Sequence, residues 1–297
     1  MDKKSFDFSP LVIGTMRLGK WGANYNSLET HEFIEQCLSL GFEDFDLADI
    51  YGDYTTEQEF GEVLKTNSQL RSKMRLTTKC GIKLPTSNRP SHTIKSYDST
   101  SSHISLSVEH SLKSLHTDYI DILLIHRPDY LMNPEEVAET FHRLKKSGKV
   151  LHFGVSNFTV PQFDILNAYI PLITNQIEIS LLQRAAFEDG TLIQCLKHKI
   201  APTAWSPFGG GEIFKEDTTN PTIQSIRKTA QAIAKKYDSG IFEVLLAWFR
   251  NHPSGIIPVL GTTKMERIER AKQSLDLTIT HEEWYALWQA ALGKEIA

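Results

Sequence analysis

Four ionisable residues stand at or just beyond the ends of short apolar runs, and together they form a proton-transfer set. Phe45-Asp46-Leu47-Ala48-Asp49-Ile50-Tyr51-Gly52 places a carboxylate at the end of one run and a phenol five positions later. Lys79 closes Leu76-Thr77-Thr78-Lys79, and His126 directly follows Asp121-Ile122-Leu123-Leu124-Ile125. A free phenol has a pKa of about 10 and a neighbouring ammonium stabilises its anion, so Tyr51 beside Lys79 is expected to give and take a proton near neutral pH. Asp46 is expected to pair with Lys79, because a lysine removed from water without a partner tends to lose its proton. His126 is expected to orient a substrate oxygen and to hydrogen-bond Tyr51. Taken singly, each reads as structural: a buried carboxylate, a loop aromatic, a solvated cation, and a satisfied histidine beside Pro128. Only convergence makes them chemical.

The order of elements supplies that convergence. Leu11 to Ile13, Phe42 to Leu47, Arg75 to Lys79, Ile120 to Ile125, Val150 to Val155, Ile173 to Gln176, Ile200 to Trp205 and Ile256 to Leu260 read as eight strands. Segments of helical periodicity separate them: Ser27 to Leu40 with Ser27 or Thr30 as N-cap and Gly41 as stop, about Thr56 to Leu64, about Thr100 to His116, and Pro134 to Lys146 stopped by Gly148. Further helices are predicted near 160 to 169, 188 to 198, 221 to 251 with a break around Asp238-Ser239-Gly240, and about Lys264 to Ser274. His281 to Leu292, with Trp284, Leu287, Trp288 and Leu292 at helical spacing, reads as an added exterior helix. Lys79 to Thr100 reads as a long polar loop. Strand–helix alternation across all 297 residues predicts one α/β domain, a (β/α)8 TIM barrel. A doubly wound sheet would carry a glycine-rich turn after its first strand, and Gly14-Thr15-Met16-Arg17-Leu18-Gly19 is not GxGxxG. In a barrel of this kind, strand C-termini and the loops after them face one mouth, where all four residues fall.

Composition narrows the function classes. Charged residues make up 23% and the formal net charge is −4, with no block of lysine and arginine, so neither a nucleic-acid partner nor a membrane surface is expected. No apolar run is long enough to span a bilayer, and the N-terminus leads into no signal-like segment. Cys37, Cys80 and Cys195 are odd in number and far apart, which predicts no disulfide, no metal site and a cytoplasmic setting.

The segments FDLADIYG, LTTK, LLIHRPD, HFGVSNF, TNQIEIS, WSPFGGG and IPVLGTTKMERIERA, in that order, resemble the aldo-keto reductase family over essentially the whole chain, and its bacterial oxidoreductase branch most of all. The resemblance implies a barrel that binds NADPH in preference to NADH without a Rossmann turn and moves hydride between nicotinamide and a small-molecule carbonyl. It implies Tyr51 as general acid, Lys79 lowering its pKa, Asp46 supporting Lys79 and His126 helping to bind the carbonyl. Ser156, Asn157 and Gln176 match carboxamide ligands, and Trp205 stands where the family has a stacking aromatic, with a core role as its alternative. Met16 and Arg17 are expected on the cofactor side and Trp21 with Tyr51 and His126 around the substrate. A monomer is the family's common form.

Two further segments suit phosphates. Ser206-Pro207-Phe208-Gly209-Gly210-Gly211 begins a loop whose glycines let backbone amides approach a pyrophosphate. Gly261-Thr262-Thr263-Lys264 opens a helix whose start favours an anion, and Lys264, Arg267 and Arg270, spaced by three, would meet a 2′-phosphate on one side. Glu266 and Glu269 interleave with these cations and offer the competing reading of a salt-bridged surface. Many family members carry a lysine at the Gly261 position and Glu-Asn at Arg270-Ala271, so these contacts depart from the usual pattern. Two other functions compete with a carbonyl reductase: imine chemistry on Lys79, and an NADPH-binding redox-sensing subunit with little turnover.

Overall fold

A computed structural model describes residues 6–297; the first five, part of the N-terminus read above as lacking an export signal, lie outside the described residues. Eight parallel strands close into the predicted barrel: β1 (Val12–Gly14), β2 (Asp44–Asp46), β3 (Arg75–Cys80), β4 (Ile120–Ile125), β5 (Val150–Ser156), β6 (Asn175–Glu178), β7 (Thr203–Trp205) and β8 (Ile257–Leu260). They lie in sequence order around the ring, and β1 pairs with both β2 and β8. Every residue of β4 is buried, which is why its sequence is apolar without alternation.

The elements follow the predicted spans closely, with three local corrections besides two later strand starts. Helix α1 (Ser27–Ser39) is capped by Asn26, not Ser27 or Thr30: the Asn26 side chain accepts from the backbone N–H groups of Leu28 and Glu29, and Glu29 reaches back to the Asn26 N–H. Helix α2 spans Thr56–Thr66, α3 Ser101–Ser114 and α4 Pro134–Lys146. Helix α5 covers Val160–Tyr169, and α6 (Thr191–His198) begins later than expected because the short turn Ala185–Glu188 precedes it. The predicted break separates α7 (Pro221–Lys236) from α8 (Ile241–Arg250), with α9 (Met265–Gln273) and α10 (His281–Leu292) after them. The third correction concerns the polar segment after Lys79, where Ile82–Lys83 and Ser96–Tyr97 form a small antiparallel sheet. Strands six and seven also begin later than predicted, at Asn175 and Thr203.

The apolar core lies between the ring and the helices. Phe141 of α4 stacks on Phe153 of β5 with centroids 4.1 Å apart. On the far side, the indole of Trp284 in α10 stacks between those of Trp248 and Trp288 and donates its N–H to the Trp248 carbonyl, so the tryptophans of this added helix belong to the core. Among the described residues no helix is long and apolar enough to cross a membrane, and no group of three or more His, Cys, Asp or Glu is placed to hold a metal ion. All three cysteines are free and buried.

Helix α2 approaches α3 so closely that only glycine fits at the contact. A Cβ on Gly61 would stand 1.9 Å from the Ser114 carbonyl oxygen, a backbone atom that cannot swing away. Gly61→Ala is expected to destabilise the fold by roughly 1–3 kcal/mol by forcing these helices apart. A urea-denaturation midpoint equal to that of the parent would contradict this packing.

Candidate active site

The four strand-end groups come together inside the barrel. In the β2–β3 register Asp46 lies opposite Thr77, which puts Lys79 two residues further up the same face of β3. The Lys79 ammonium has three donors, and each finds an oxygen: Asp46 Oδ2 at 2.7 Å, the Leu47 carbonyl at 2.7 Å and Tyr51 Oη at 3.0 Å. Burial works to discharge Lys79, but Asp46 and the phenol outweigh it and hold the ammonium above the ordinary lysine pKa. Imine chemistry on Lys79 is disfavoured by this, since a nucleophilic amine must first be neutral.

Tyr51 differs from expectation in direction. Burial raises its pKa more than Lys79 lowers it, so the phenol sits above its ordinary value and is protonated at neutral pH. Because Oη accepts from Lys79, its own hydrogen remains available, and no acceptor for it occurs among the described residues. His126 also departs from expectation. It forms no hydrogen bond with Tyr51; the two rings meet edge to face with centroids 6.1 Å apart. Burial, reinforced by the nearby Lys79 and Arg127 charges, holds His126 well below its ordinary pKa, so the imidazole is neutral, and its buried Nδ1 has no partner.

A second group of residues joins this one through hydrogen bonds that the sequence did not reveal. Trp205 Nε1 donates to Asn157 Oδ1 (3.0 Å), Asn157 Nδ2 to Ser156 Oγ (2.7 Å), and Ser156 Oγ to the Gln176 carbonyl (2.9 Å). Gln176 Nε2 then donates to Asp46 Oδ1 at 2.8 Å, which uses the carboxylate oxygen that Lys79 leaves free. Asn157, which accepts from the indole, and Ser206, which follows Trp205 in the chain, both hold left-handed backbone, with φ of 60° and 51°. Such conformations cost energy in residues with a side chain and persist where the surroundings enforce them. The half-buried Trp205 ring is therefore fixed at its N–H edge.

The remaining candidates lie around the mouth. Trp21 is 37% exposed, donates its indole N–H to Asp53, and stands 6.2 Å from the Tyr51 ring. Met16 and Arg17 follow β1 and are exposed. After Ser206, Pro207 is buried and the Phe208 ring packs on Phe214 and Phe242, so these two side chains face the core and leave only backbone to a ligand. Gly209, Gly210 and Gly211 all have positive φ, and a Cβ on Gly210 or Gly211 would meet nothing within 4 Å. Gly261, Thr262 and Thr263 lead from β8 into α9, whose start at Lys264 has no side-chain cap. Lys264 and Arg267 are exposed and form no ion pair among the described residues, so the interleaved glutamates do not neutralise them. Arg270 must be withdrawn from the set: it forms a two-pronged pair with Glu243 of α8, at 2.7 and 2.9 Å.

This donor set fits a dinucleotide. An uncapped helix start with two unpaired cations offers anion sites, the open positions at Gly210, Gly211 and Gly261 leave room for backbone contact, and the fixed indole offers a flat face.

Comparison with known proteins agrees with the geometry. The model of the Aldo/keto reductase family matches residues 10–291. The chain is 43% identical to the oxidoreductase YcsN of Bacillus subtilis (strain 168), across 99% of this chain and 97% of that one. It is 40% identical to a 6-dehydroglucose reductase of Agrobacterium fabrum, across 98% and 97%. The glycerol dehydrogenase of Gluconobacter oxydans superposes with a TM-score of 0.83 at 24% identity, covering 98% and 95%, and shares the barrel. The chain belongs to the aldo-keto reductase family. It is an oxidoreductase.

Lys79 and Asp46 stabilise each other only as a pair. Lys79→Met leaves a buried carboxylate with one donor, and it is expected to cost roughly 3–5 kcal/mol of stability in a chemical denaturation series. A loss within experimental error would show that Asp46 does not depend on the ammonium.

Proposed function

We propose that this protein is an NADP(H)-dependent reductase that converts a small-molecule aldehyde or ketone to an alcohol, with Tyr51 as the proton donor. The observation that carries this reading is the phenol that accepts from a buried, charged Lys79 while its own hydrogen stays unclaimed. When bound, the cofactor supplies hydride to the carbonyl carbon. Tyr51 gives its proton to the carbonyl oxygen, and Lys79 stabilises the phenolate that remains. The neutral His126 orients the carbonyl oxygen without competing as the acid. Asp46 holds Lys79 charged, and Gln176 holds Asp46 while its carbonyl side, with Ser156 and Asn157, faces the carboxamide. Trp205 carries the nicotinamide ring and Trp21 bounds the substrate opposite.

In the same reading, the backbone of Ser206 to Gly211 takes the pyrophosphate, with Pro207 and Phe208 shaping that loop from the core side. Gly261, Thr262, Thr263, Lys264 and Arg267 take the adenosine 2′-phosphate, and Met16 and Arg17 flank the nicotinamide half. Arg270 supports this end only indirectly, through α8. The activity named for the Agrobacterium relative makes a sugar-derived aldehyde a natural first substrate to assay. A redox-sensing subunit with little turnover is not favoured, because that relative is named for a reaction it catalyses.

Tyr51→Phe should lower NADPH-dependent carbonyl reduction by roughly 10²–10⁴-fold, the usual contribution of a positioned acid, with cofactor affinity nearly unchanged by fluorescence titration. Retained turnover would remove Tyr51 from the role of donor. NADPH should bind more tightly than NADH, and Lys264→Ala with Arg267→Ala should narrow the gap by about tenfold or more, the scale of a lost charge-assisted contact. Equal parental affinities for the two cofactors would refute the 2′-phosphate assignment.

A further inference from the structure

The chain turns through three consecutive left-handed residues immediately after Tyr51. Gly52, Asp53 and Tyr54 have φ of 60°, 59° and 71°, a conformation that costs energy in the two that carry side chains. Such backbone persists where its surroundings enforce it. On one side the turn is tied to the segment after Lys79: Tyr54 Oη accepts the Leu84 N–H at 2.8 Å, and Asn88 Nδ2 donates to the Asp53 carbonyl at 2.9 Å. On the other side the Asp53 carboxylate ties it to the loop after β1.

Two consecutive residues of that loop share the carboxylate. Lys20 Nζ donates to Oδ2, and the Trp21 indole N–H donates to Oδ1 at 3.2 Å. The Lys20 hydrogen bond holds the Asp53 carboxyl below its ordinary pKa, so it is an anion at neutral pH. The backbone of the loop closes on itself, with the Ala23 N–H on the Arg17 carbonyl and the Tyr25 N–H on the Leu18 carbonyl. The Trp21 ring lacks comparable support: it is 37% exposed and belongs to none of the apolar clusters of the core. Asp53 is the hydrogen-bond partner of its indole, and the ring is held 6.2 Å from that of Tyr51, tilted by 58°.

We infer that Asp53 is a positioning residue, which acts through Trp21 to set the wall of the carbonyl site beside Tyr51. This role rests on the proposed carbonyl reduction and adds to it a residue that works only through another. An exposed indole left to itself samples several rotamers, and a hydrogen bond to a charged acceptor selects one of them. Lys20 occupies the second oxygen and so fixes which one faces the indole. Tyr51 opens the turn that carries Asp53, so Trp21 is referenced to the proton donor as well as to its own strand. A shift of the turn then moves wall and donor together, and a substrate lying against the indole keeps its carbonyl oxygen within reach of the phenol.

Asn and Gly both tolerate left-handed backbone, so Asp53→Asn and Asp53→Gly separate the acceptor from the turn: only the first keeps an oxygen for the indole. The first measurement needs no substrate. Water exchange of the tryptophan indole N–H groups is followed by NMR, with the Trp21 signal assigned by its loss in Trp21→Phe. That exchange should quicken by about tenfold or more in Asp53→Gly and far less in Asp53→Asn. The second measurement uses NADPH with 4-nitrobenzaldehyde, a flat aldehyde able to lie against the indole, or with glyceraldehyde where the parent reduces that alone. Asp53→Gly should raise KM by about tenfold with a smaller change in kcat, Asp53→Asn should restore most of the loss, and Asp53→Gly should add nothing to Trp21→Phe. A role confined to the turn would leave the Asn and Gly variants alike and make Asp53→Gly and Trp21→Phe additive; either result overturns the inference alone. A Trp21 signal that exchanges in the parent as fast as a free indole overturns it whether or not any variant folds. A parent inactive on both aldehydes overturns the reductase reading, and with it the role given to this wall, whatever the exchange rates show.

Discussion

The buried ammonium of Lys79 is the constraint around which the inside of the barrel is arranged. A charge with no exposure is tolerable only when every donor has an acceptor, and here Asp46, the Leu47 carbonyl and Tyr51 supply the three. That demand fixes the relative heights of β2 and β3, because a slip of one residue would turn either Asp46 or Lys79 out of the interior. It also explains Gln176. The carboxylate has lone pairs left after meeting Lys79, and the Gln176 amide, from β6 across the ring, donates to one of them. One requirement, that a buried charge be fully hydrogen-bonded, thereby ties Trp205 to Tyr51 through Asn157, Ser156, Gln176, Asp46 and Lys79.

Much of this was legible in the sequence, for definable reasons. Asp46, Tyr51, Lys79 and His126 stand at the ends of runs too apolar to be anything but interior strands, and a parallel barrel sends all such ends to one face. The pairing of Lys79 with Asp46 and with Tyr51 was legible too, but the links from this group to the far wall were not. Gln176 and Asp46 are 130 positions apart and meet across the ring, a distance that local patterning does not encode. Arg270 was misplaced for the same reason, since its partner Glu243 belongs to another helix. The cap of α1 was read as Ser27 or Thr30 and is Asn26, an equally competent residue one position earlier that the reciprocal bond from Glu29 selects. The small sheet after Lys79 escaped notice because two-residue strands carry no periodicity.

Partnering distinguishes the cations that join elements of the fold from those that the proposed reading leaves to a ligand. Arg71, Arg75 and Arg270 each meet a carboxylate from a different element and so join elements of the barrel together. Lys264, Arg267 and Arg127 meet none among the described residues, and all three follow the C-terminal ends of strands, where this fold presents its ligands. Residue type and spacing gave Arg270 the same standing as Arg267; only the presence of Glu243 tells them apart.

With its pKa raised, Tyr51 rests in the protonated state that carbonyl reduction draws on. Reduction needs the phenol intact, whereas oxidation of an alcohol needs the phenolate to be present first. Burial opposes the anion and Lys79 favours it, and in this structure burial prevails. Lys79 therefore acts less by ionising Tyr51 beforehand than by lowering the energy of the phenolate at the moment its proton leaves, which is where a fixed charge in a dry interior is most effective. Conversion to a base would require more positive charge at the mouth than Lys79 supplies alone. With His126 held neutral, that charge has to come from bound ligand or from Arg127, whose field already reaches the phenol.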